Sequence, residues 1–151
     1  MFEVRLAQRA DTAVLVEMLA AQLHEHGPAA GRTQVQRGIE AAFETGAPLL
    51  VALEGPRAVG ACLANRIASV EYGGAVLFIE ELYVVPDVRR RGVARALVSR
   101  LLADCRLSGV RAVELEVDPG HEPARALYRS LGFTPNARTP WVFDLRQPFL
   151  T

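Results

Sequence analysis

The feature that most constrains the fold is a strand–helix–strand order between residues 77 and 117. An apolar, strand-like run ends at Pro86, and a pattern of apolar residues at helical spacing begins after Gly92. Gly109 ends that helix, and residues 110–117 again have the character of a strand. Two strands joined through a helix lie parallel in one sheet. The sequence therefore predicts at least one parallel strand pair.

The rest of the chain predicts hairpins and helices around this unit. Turn residues at 54–57 and 72–74 join neighbouring strands, which makes those pairs antiparallel. The predicted strands cover residues 2–7, 48–53, 58–70, 75–85, 110–117 and 141–145. Helices are predicted after Asp11, over 34–44, after Gly92 and over 122–131. The length and the absence of a linker or repeat indicate one mixed α/β domain over residues 1–151.

Composition excludes several classes of protein. The chain has 17 basic and 17 acidic residues, so its formal net charge is zero, which argues against a nucleic-acid-binding protein. Every basic residue is Arg, a bias that we attribute to a GC-rich genome. The charged N-terminus and the lack of a long apolar run predict a soluble, cytoplasmic protein with no membrane partner. We also expect a bacterial source. His24 and His26 do not share a helix face and have no third ligand, so we expect no metal site.

The loop before the third helix has the composition of an anion site. Free backbone N–H groups at a helix start attract a phosphate, and Gly92 and Ala94 let it approach closely. Three consecutive residues, Arg89, Arg90 and Arg91, add positive charge. A Walker phosphate loop and a Rossmann fingerprint are both absent. These residues alone favour an anion site no more than they favour a solvated loop before an ordinary helix.

Two motifs together carry a family resemblance. The segment LYVVPDVRRRGVA at residues 82–94 resembles the acetyl-coenzyme A signature (Q/R)xxGx(G/A), and HEPARALYRSLGF at 121–133 resembles the signature NxxAxxLYxxLGF. The chain is thereby identified as a member of the GNAT (GCN5-related) N-acetyltransferase superfamily. The resemblance implies a mixed, mostly antiparallel sheet of six to seven strands. A splayed parallel pair lies at its centre, and about four helices cover its faces.

The resemblance also implies which residues bind acetyl-CoA. The pantetheine arm lies along the strand at Leu82, Tyr83 and Val84, and the Val84 N–H stabilises the oxyanion formed at the thioester. His121 stands where the family has an Asn that contacts the pantetheine region. The pyrophosphate binds backbone amides of the loop formed by Arg89, Arg90, Arg91, Gly92, Val93, Ala94 and Arg95.

Three residues are candidates for proton transfer. Tyr128 matches the family's general acid, which protonates the leaving thiolate; its alternative role is packing on a helix face. An alkyl ammonium has a pKa of about 10.4 and a free carboxylate about 4.3, so the base needs a raised pKa or an ordered water. Glu80 and Glu116 are the candidate bases. Strand alternation predicts that Glu81 faces away from Glu80.

The predicted function is acetyl transfer from acetyl-CoA to a primary amine of a small molecule, by direct attack in a ternary complex. A peptide or protein N-terminal acetyltransferase and a non-catalytic acyl-CoA-binding sensor are the alternatives. The loop at residues 23–32 is expected to border the acceptor site. A homodimer is possible for this family, with the apolar tail at residues 141–150 as a contributor.

Overall fold

The computed structural model describes residues 1–26 and 31–146. In these residues, five strands and four α-helices follow one another with two short 3-10 turns. The order is β1 (Glu3–Leu6), α1 (Thr12–His26), α2 (Arg32–Thr45), β2 (Leu49–Glu54), β3 (Arg57–Ser69), β4 (Gly74–Val84), α3 (Val93–Leu107), β5 (Ala112–Leu115) and α4 (Glu122–Ser130).

All five strands belong to one sheet, in the order β1-β2-β3-β4-β5. The first four pair antiparallel with their neighbours, and β4 pairs parallel with β5. The parallel pairing follows from the crossover through α3, whose apolar stripe covers one face of the sheet. The predicted mixed α/β fold, with its parallel pair and four helices, is confirmed.

The predicted number of strands is wrong for the described residues, because the sheet has five strands and not six or seven. The segment 141–145 forms no strand, and Trp141 is 95% exposed. Its apolar residues 141–143 are consecutive and do not alternate, so they give no half-buried strand face. Asp144 accepts a hydrogen bond from the backbone N–H of Arg146 and forms a local turn instead. The parallel pair therefore lies at one edge of the described sheet and not at its centre.

A hydrophobic core lies on each face of the sheet. The α3-side core contains Leu97 and Leu101 of α3 together with inward side chains of β2, β3 and β4. The second core, on the side of α1 and α2, contains Leu15, Ile39 and Tyr83. Burial of apolar surface on both faces is the main favourable term in the stability of such a sheet. Cys62 and Cys105 are both free thiols buried in the α3-side core.

A β-bulge interrupts the ladder between β3 and β4. Leu63 pairs with Glu81 and the next residue, Ala64, pairs with Ile79, so Glu80 is the extra residue. A bulge restarts the alternation of side chains along a strand. Ile79 faces the α3-side core, which places Glu80 on the other face, and Glu81 shares that face with Tyr83. The prediction that Glu80 and Glu81 lie on opposite faces is therefore wrong.

A glycine on β3 lets α3 approach the sheet closely. A Cβ added at Gly60 would lie 2.9 Å from Cγ1 of Val93 and 3.0 Å from the Tyr83 carbonyl oxygen. The first distance is shorter than real Cβ contacts and the second is tighter than most, so a larger residue at position 60 would require α3 or β4 to shift. The consequence is that the first turn of α3 begins directly beside the end of β4. In the described part of the chain, we find no helix with the length and apolarity required to span a membrane.

Candidate active site

The carboxyl-terminal part of β4 has a free edge. The β4–β5 ladder covers only Val76–Ile79 on β4, so the strands separate beyond that point. The Val85 N–H donates to the Val59 carbonyl on the β3 side, at 3.0 Å. Because backbone groups alternate in direction along a strand, those of Val84 and Leu82 point to the side that β5 leaves open. The predicted pantetheine strand thus presents the backbone groups that an added strand needs.

The start of α3 supplies backbone donors next to this edge. Gly92 is the N-cap and has φ of +90°, a conformation that favours glycine. The first-turn N–H groups of Val93, Ala94 and Arg95 have no partner within the helix. The Val93 side chain is buried in the core, so this residue offers only its backbone. Such a helix start binds anions without any side chain.

The arginines of this loop are largely engaged by other residues. Arg89 donates to a Glu25 carboxylate oxygen at 2.8 Å and to the Val84 carbonyl at 2.9 Å. Arg91 pairs with Glu54. In the linear sequence, Asp87 is the only acidic residue close to these arginines. Folding also brings Glu25 to Arg89 and Glu54 to Arg91, so the cluster is less positively charged than the sequence suggests. The groups of this loop that are left available to an anion are therefore mainly its backbone N–H groups.

The remaining loop arginines have no carboxylate partner within residues 1–26 and 31–146. Arg95 donates to the Ser130 hydroxyl, which joins the first turn of α3 to the end of α4. Arg90 has a positive φ of 64°, which is uncommon for a residue other than glycine. The positive charges of Arg89 and Arg91 are offset by glutamates, whereas those of Arg90 and Arg95 are not offset in the described part of the chain.

His121, which replaces the family Asn, is the N-cap of α4. Its Nδ1 accepts a hydrogen bond from the Ala124 N–H at 3.1 Å. An Asn side chain accepts the same kind of hydrogen bond, so His121 preserves the cap although its shape differs. Because an accepting nitrogen of a neutral imidazole carries no proton, the ring proton is on Nε2. This placement leaves the helix start of α4 intact.

Tyr128 lies on α4 and packs against the α3-side core. Its ring contacts Phe133 edge to face, with the ring centroids 5.6 Å apart. Burial, assisted by the nearby Cys62, raises the pKa of Tyr128 to about 12. The phenol is therefore protonated at neutral pH, which is the state that a proton donor needs.

A cleft of about 390 Å³ opens on the other face of the sheet, between α1, α2 and the central strands. Glu80 and Glu81 line it together because of the bulge. Glu80 is exposed and accepts a hydrogen bond from Nδ2 of Asn65 at 2.6 Å. Burial, followed by the charge of Glu80, raises the pKa of Glu81 from 4.5 to about 7. A carboxylate with this pKa is suited to proton transfer near neutral pH.

The structure separates the two predicted bases. Glu80 lines the cleft, whereas Glu116 follows the end of β5, is exposed and is not among the residues that line the cleft. Glu81 does line it, and strand alternation alone missed it. The signal that could have found it is the consecutive pair of glutamates within the otherwise apolar run IEELYV, which a bulge accommodates.

Two further predictions fall on segments that are only partly described. The expected acceptor loop at 23–32 includes residues 27–30, which lie outside the described residues. The same holds for residues 147–150 of the apolar tail. Among the described residues, no group of three or more potential ligands could hold a metal ion.

Comparison with known proteins assigns the family. The model of the acetyltransferase (GNAT) family matches residues 15–133. The chain therefore belongs to the GNAT acetyltransferase family, as the two motifs predict. Mycothiol acetyltransferase of Beutenbergia cavernae is 47% identical over 60 residues, 38% of this chain and 20% of that protein. The [ribosomal protein bS18]-alanine N-acetyltransferase of Escherichia coli is 39% identical over 74 residues, 49% of each chain.

These matched stretches cover half or less of the curated relatives. Similarity to solved structures extends further along the chain. A structure from Clostridium acetobutylicum, described as a "predicted acetyltransferase with acetyl-CoA", is similar with a TM-score of 0.79 and 18% identity. The similarity covers 97% of this chain and 99% of the other. At that identity the likeness shows the fold.

Proposed function

We propose that this chain transfers the acetyl group of acetyl-CoA to a primary amine of a small molecule, by direct attack in a ternary complex. The observation that carries the proposal is the position of Glu81, which lines the cleft and lies in the part of β4 that β5 leaves unpaired. With a rise of about 3.3 Å per residue, Glu81 and Val84 are separated by about 10 Å along the strand. One strand thus connects the cleft to the backbone donors.

The coenzyme would bind along the features described above. Its pantetheine arm would pair with the backbone groups of Leu82, beside Tyr83, and with the Val84 N–H, since the Val84 carbonyl already accepts a hydrogen bond from Arg89. Its pyrophosphate would bind the N–H groups at the start of α3. The His121 position at the start of α4 would contact the pantetheine region, as the family Asn does. Acetyl-CoA supplies the activated acyl group as a thioester.

The raised pKa of Glu81 favours proton transfer from the amine. An alkyl ammonium has a pKa of about 10.4. The difference between this pKa and that of the accepting carboxylate falls from about six units for a free carboxylate to about three for Glu81, whose pKa is about 7. Glu81 accepts a proton from the bound ammonium, and the free amine attacks the thioester carbonyl. The Val84 N–H stabilises the oxyanion, and Tyr128 donates its proton to the leaving thiolate. Glu80 holds the negative charge beside Glu81, and Glu116 remains an alternative base.

The direct test is release of the coenzyme A thiol from acetyl-CoA in the presence of amines. We expect thiol release that depends on both substrates, with initial rates that fit a sequential and not a ping-pong pattern. Coenzyme binding by calorimetry without thiol release for any amine would instead identify a non-catalytic acyl-CoA-binding sensor.

A peptide N-terminal acetyltransferase is the second candidate function. It is favoured by the 39% identity to the Escherichia coli ribosomal-protein N-acetyltransferase over 74 residues. Mycothiol acetyltransferase, which is similar over a shorter stretch, favours a small molecule. A short peptide with a free N-terminal alanine separates the two, because only the second candidate predicts that it outperforms small amines.

A further inference from the structure

We infer that the acceptor is a primary monoamine with an apolar body, rather than a polyamine, an aminoglycoside or a peptide. This inference rests on the proposed function and specifies the substrate class of the same cleft. It follows from the distribution of charge and apolar surface along the cleft walls.

All of the negative charge that lines the cleft lies at one place. Glu80 and Glu81 are adjacent on β4, and of the described lining residues no other is charged. The remaining walls come from apolar or neutral side chains of α1, α2 and β3. The apolar ones include Leu19, Leu23, Val35, Ile39 and Leu63.

This arrangement fits one cationic group with an apolar extension. The negative charge of Glu80 and Glu81 offsets that of an ammonium bound beside them. The alkyl or aryl body of the amine is then buried against the apolar walls, which removes apolar surface from water and favours binding. A second ammonium would lie among those walls without a counter-ion, and burying an unpaired charge is costly. Polyamines and aminoglycosides therefore bind less well, although both carry primary amines.

A peptide fits the cleft poorly for a related reason. Its first amide follows the α-amino group directly, so the amide would lie next to the glutamates and needs polar partners there. Of the neutral polar side chains that line the cleft, Asn65 donates one amide N–H to Glu80, and the Thr45 hydroxyl donates to the Ala41 carbonyl. Gln34 lies on the α2 wall and not on β4. Leu63, which pairs with Glu81, offers no side-chain hydrogen bond. An alkyl chain at this position requires none.

The reaction balances without a further reagent. The ammonium gives one proton to the Glu81 carboxylate, and the amine nitrogen forms a bond to the acetyl carbon. The carbon–sulfur bond then breaks, and the thiolate takes the Tyr128 proton. The second nitrogen proton restores the phenol through water, and Glu81 releases its proton to solvent. The products are the N-acetyl amine, the free thiol of coenzyme A and one proton.

The test compares n-hexylamine with 1,6-diaminohexane, which have the same chain length and differ by one terminal ammonium. We expect kcat/KM for n-hexylamine to be at least about tenfold higher, because the apolar walls disfavour the second charge. Neamine and an alanine-initiated tripeptide are measured beside them. If the diamine or neamine is used as well as or better than n-hexylamine, the inference is overturned while the proposed function stands. If the tripeptide is used better than every small amine, both are overturned in favour of the peptide N-terminal acetyltransferase.

A gain-of-function variant tests the cause. Gln34 is an exposed residue of the α2 wall, so Gln34→Glu adds a carboxylate away from Glu80 and Glu81 without loss of core packing. We expect this variant to raise kcat/KM for the diamine by about tenfold relative to n-hexylamine. Gln36→Glu is the control for added charge, since it adds the same charge to the same helix outside the cleft lining. Because it also removes the hydrogen bond that Gln36 donates to Glu40, its stability is measured by urea unfolding beside that of Gln34→Glu.

The outcomes distinguish failure of the inferred substrate class from failure of the proposed function. A shift in preference with Gln34→Glu alone supports the inference, and an equal shift in Gln36→Glu overturns it as an effect of net charge. Absence of thiol release with every amine and with the tripeptide overturns the proposed function itself.

Discussion

The two halves of the candidate active site offer a ligand different parts of the chain. On the coenzyme side, the groups available to a ligand are backbone N–H and carbonyl groups of β4 and α3. On the acceptor side, they are the side chains of Glu80 and Glu81, with apolar residues of α1 and α2 around them. The same strand, β4, serves both sides, and the bulge at Glu80 marks the change from one to the other.

This difference predicts which substitutions each side should tolerate. A backbone site depends on conformation, so it requires glycine at a few positions and permits many side chains elsewhere. A side-chain site depends on the pKa and direction of individual groups. The coenzyme side is accordingly sensitive to backbone changes, and the acceptor side to the removal of a single carboxylate.

The largest effect is expected from Glu81→Gln, which removes the proposed base and keeps the size of the side chain. We expect kcat/KM for the amine to fall by about 10²- to 10⁴-fold, the usual contribution of general-base catalysis. The dissociation constant of coenzyme A, measured by calorimetry, should stay within about twofold.

Stability provides a check that the variant is folded. The pKa of Glu81 is raised on folding, so the folded protein binds more protons than the unfolded chain between pH 4.5 and about 7. Its destabilising contribution is absent at low pH and develops as the pH rises through this range. Glu81→Gln should therefore be more stable than the wild type above pH 7 and equal to it below pH 4.5, as measured by urea unfolding.

Tyr128→Phe tests the other proton-transfer group. Because a thiol with a pKa of roughly 8.5 is already a good leaving group, we expect the lower end of the range, about a 10²-fold loss of kcat. The ring and its contact with Phe133 remain, so coenzyme affinity and thermal stability should not change. An unchanged kcat would show that Tyr128 only packs on the helix face.

Gly92→Ala tests the backbone site, and Gly109→Ala is its matched control. Both glycines have positive φ, +90° and +72°, at opposite ends of α3, and neither has an atom within 4 Å of an added Cβ. Each substitution should cost about 1–2 kcal/mol of stability. Only Gly92→Ala should also raise the KM for acetyl-CoA, by about tenfold. An equal rise in both variants would contradict an anion site at Gly92.

The smallest effect is expected at His121. His121→Ala removes the N-cap of α4 and should lower stability by about 1 kcal/mol, measured by urea unfolding. His121→Asn restores the residue type of the family and should retain the cap. A loss of stability in the Asn variant equal to that in the Ala variant would show that the Nδ1 contact does not stabilise the helix.

Much of the fold and the coenzyme side could be predicted from the sequence. Gly92, Ala94 and the LYxxLGF motif are local patterns, and the crossover between β4 and β5 follows from the order of elements. The segment at Trp141 could not be predicted, because a strand needs a partner as well as apolar residues. Whether a partner is present is decided by the whole structure.

The acceptor side was harder to predict for two physical reasons. A bulge shifts the period of a strand by one residue, so alternation placed Glu81 on the wrong face. Contacts between residues far apart in the sequence also change the charge around a loop. Glu25, for example, offsets the charge of Arg89 although 64 positions separate the two residues. Both effects arise only when the chain is folded.

The most direct test of the account is the pH dependence of kcat/KM for the amine, in the wild type and in both glutamate variants. The wild type should gain activity with rising pH through an ionisation near 7, that of Glu81. Glu80→Gln should keep this ionisation at a lower pH, because the neighbouring charge that raises it is gone. Glu81→Gln should lose it. The same ionisation near pH 7 in Glu81→Gln would contradict the assignment of the base.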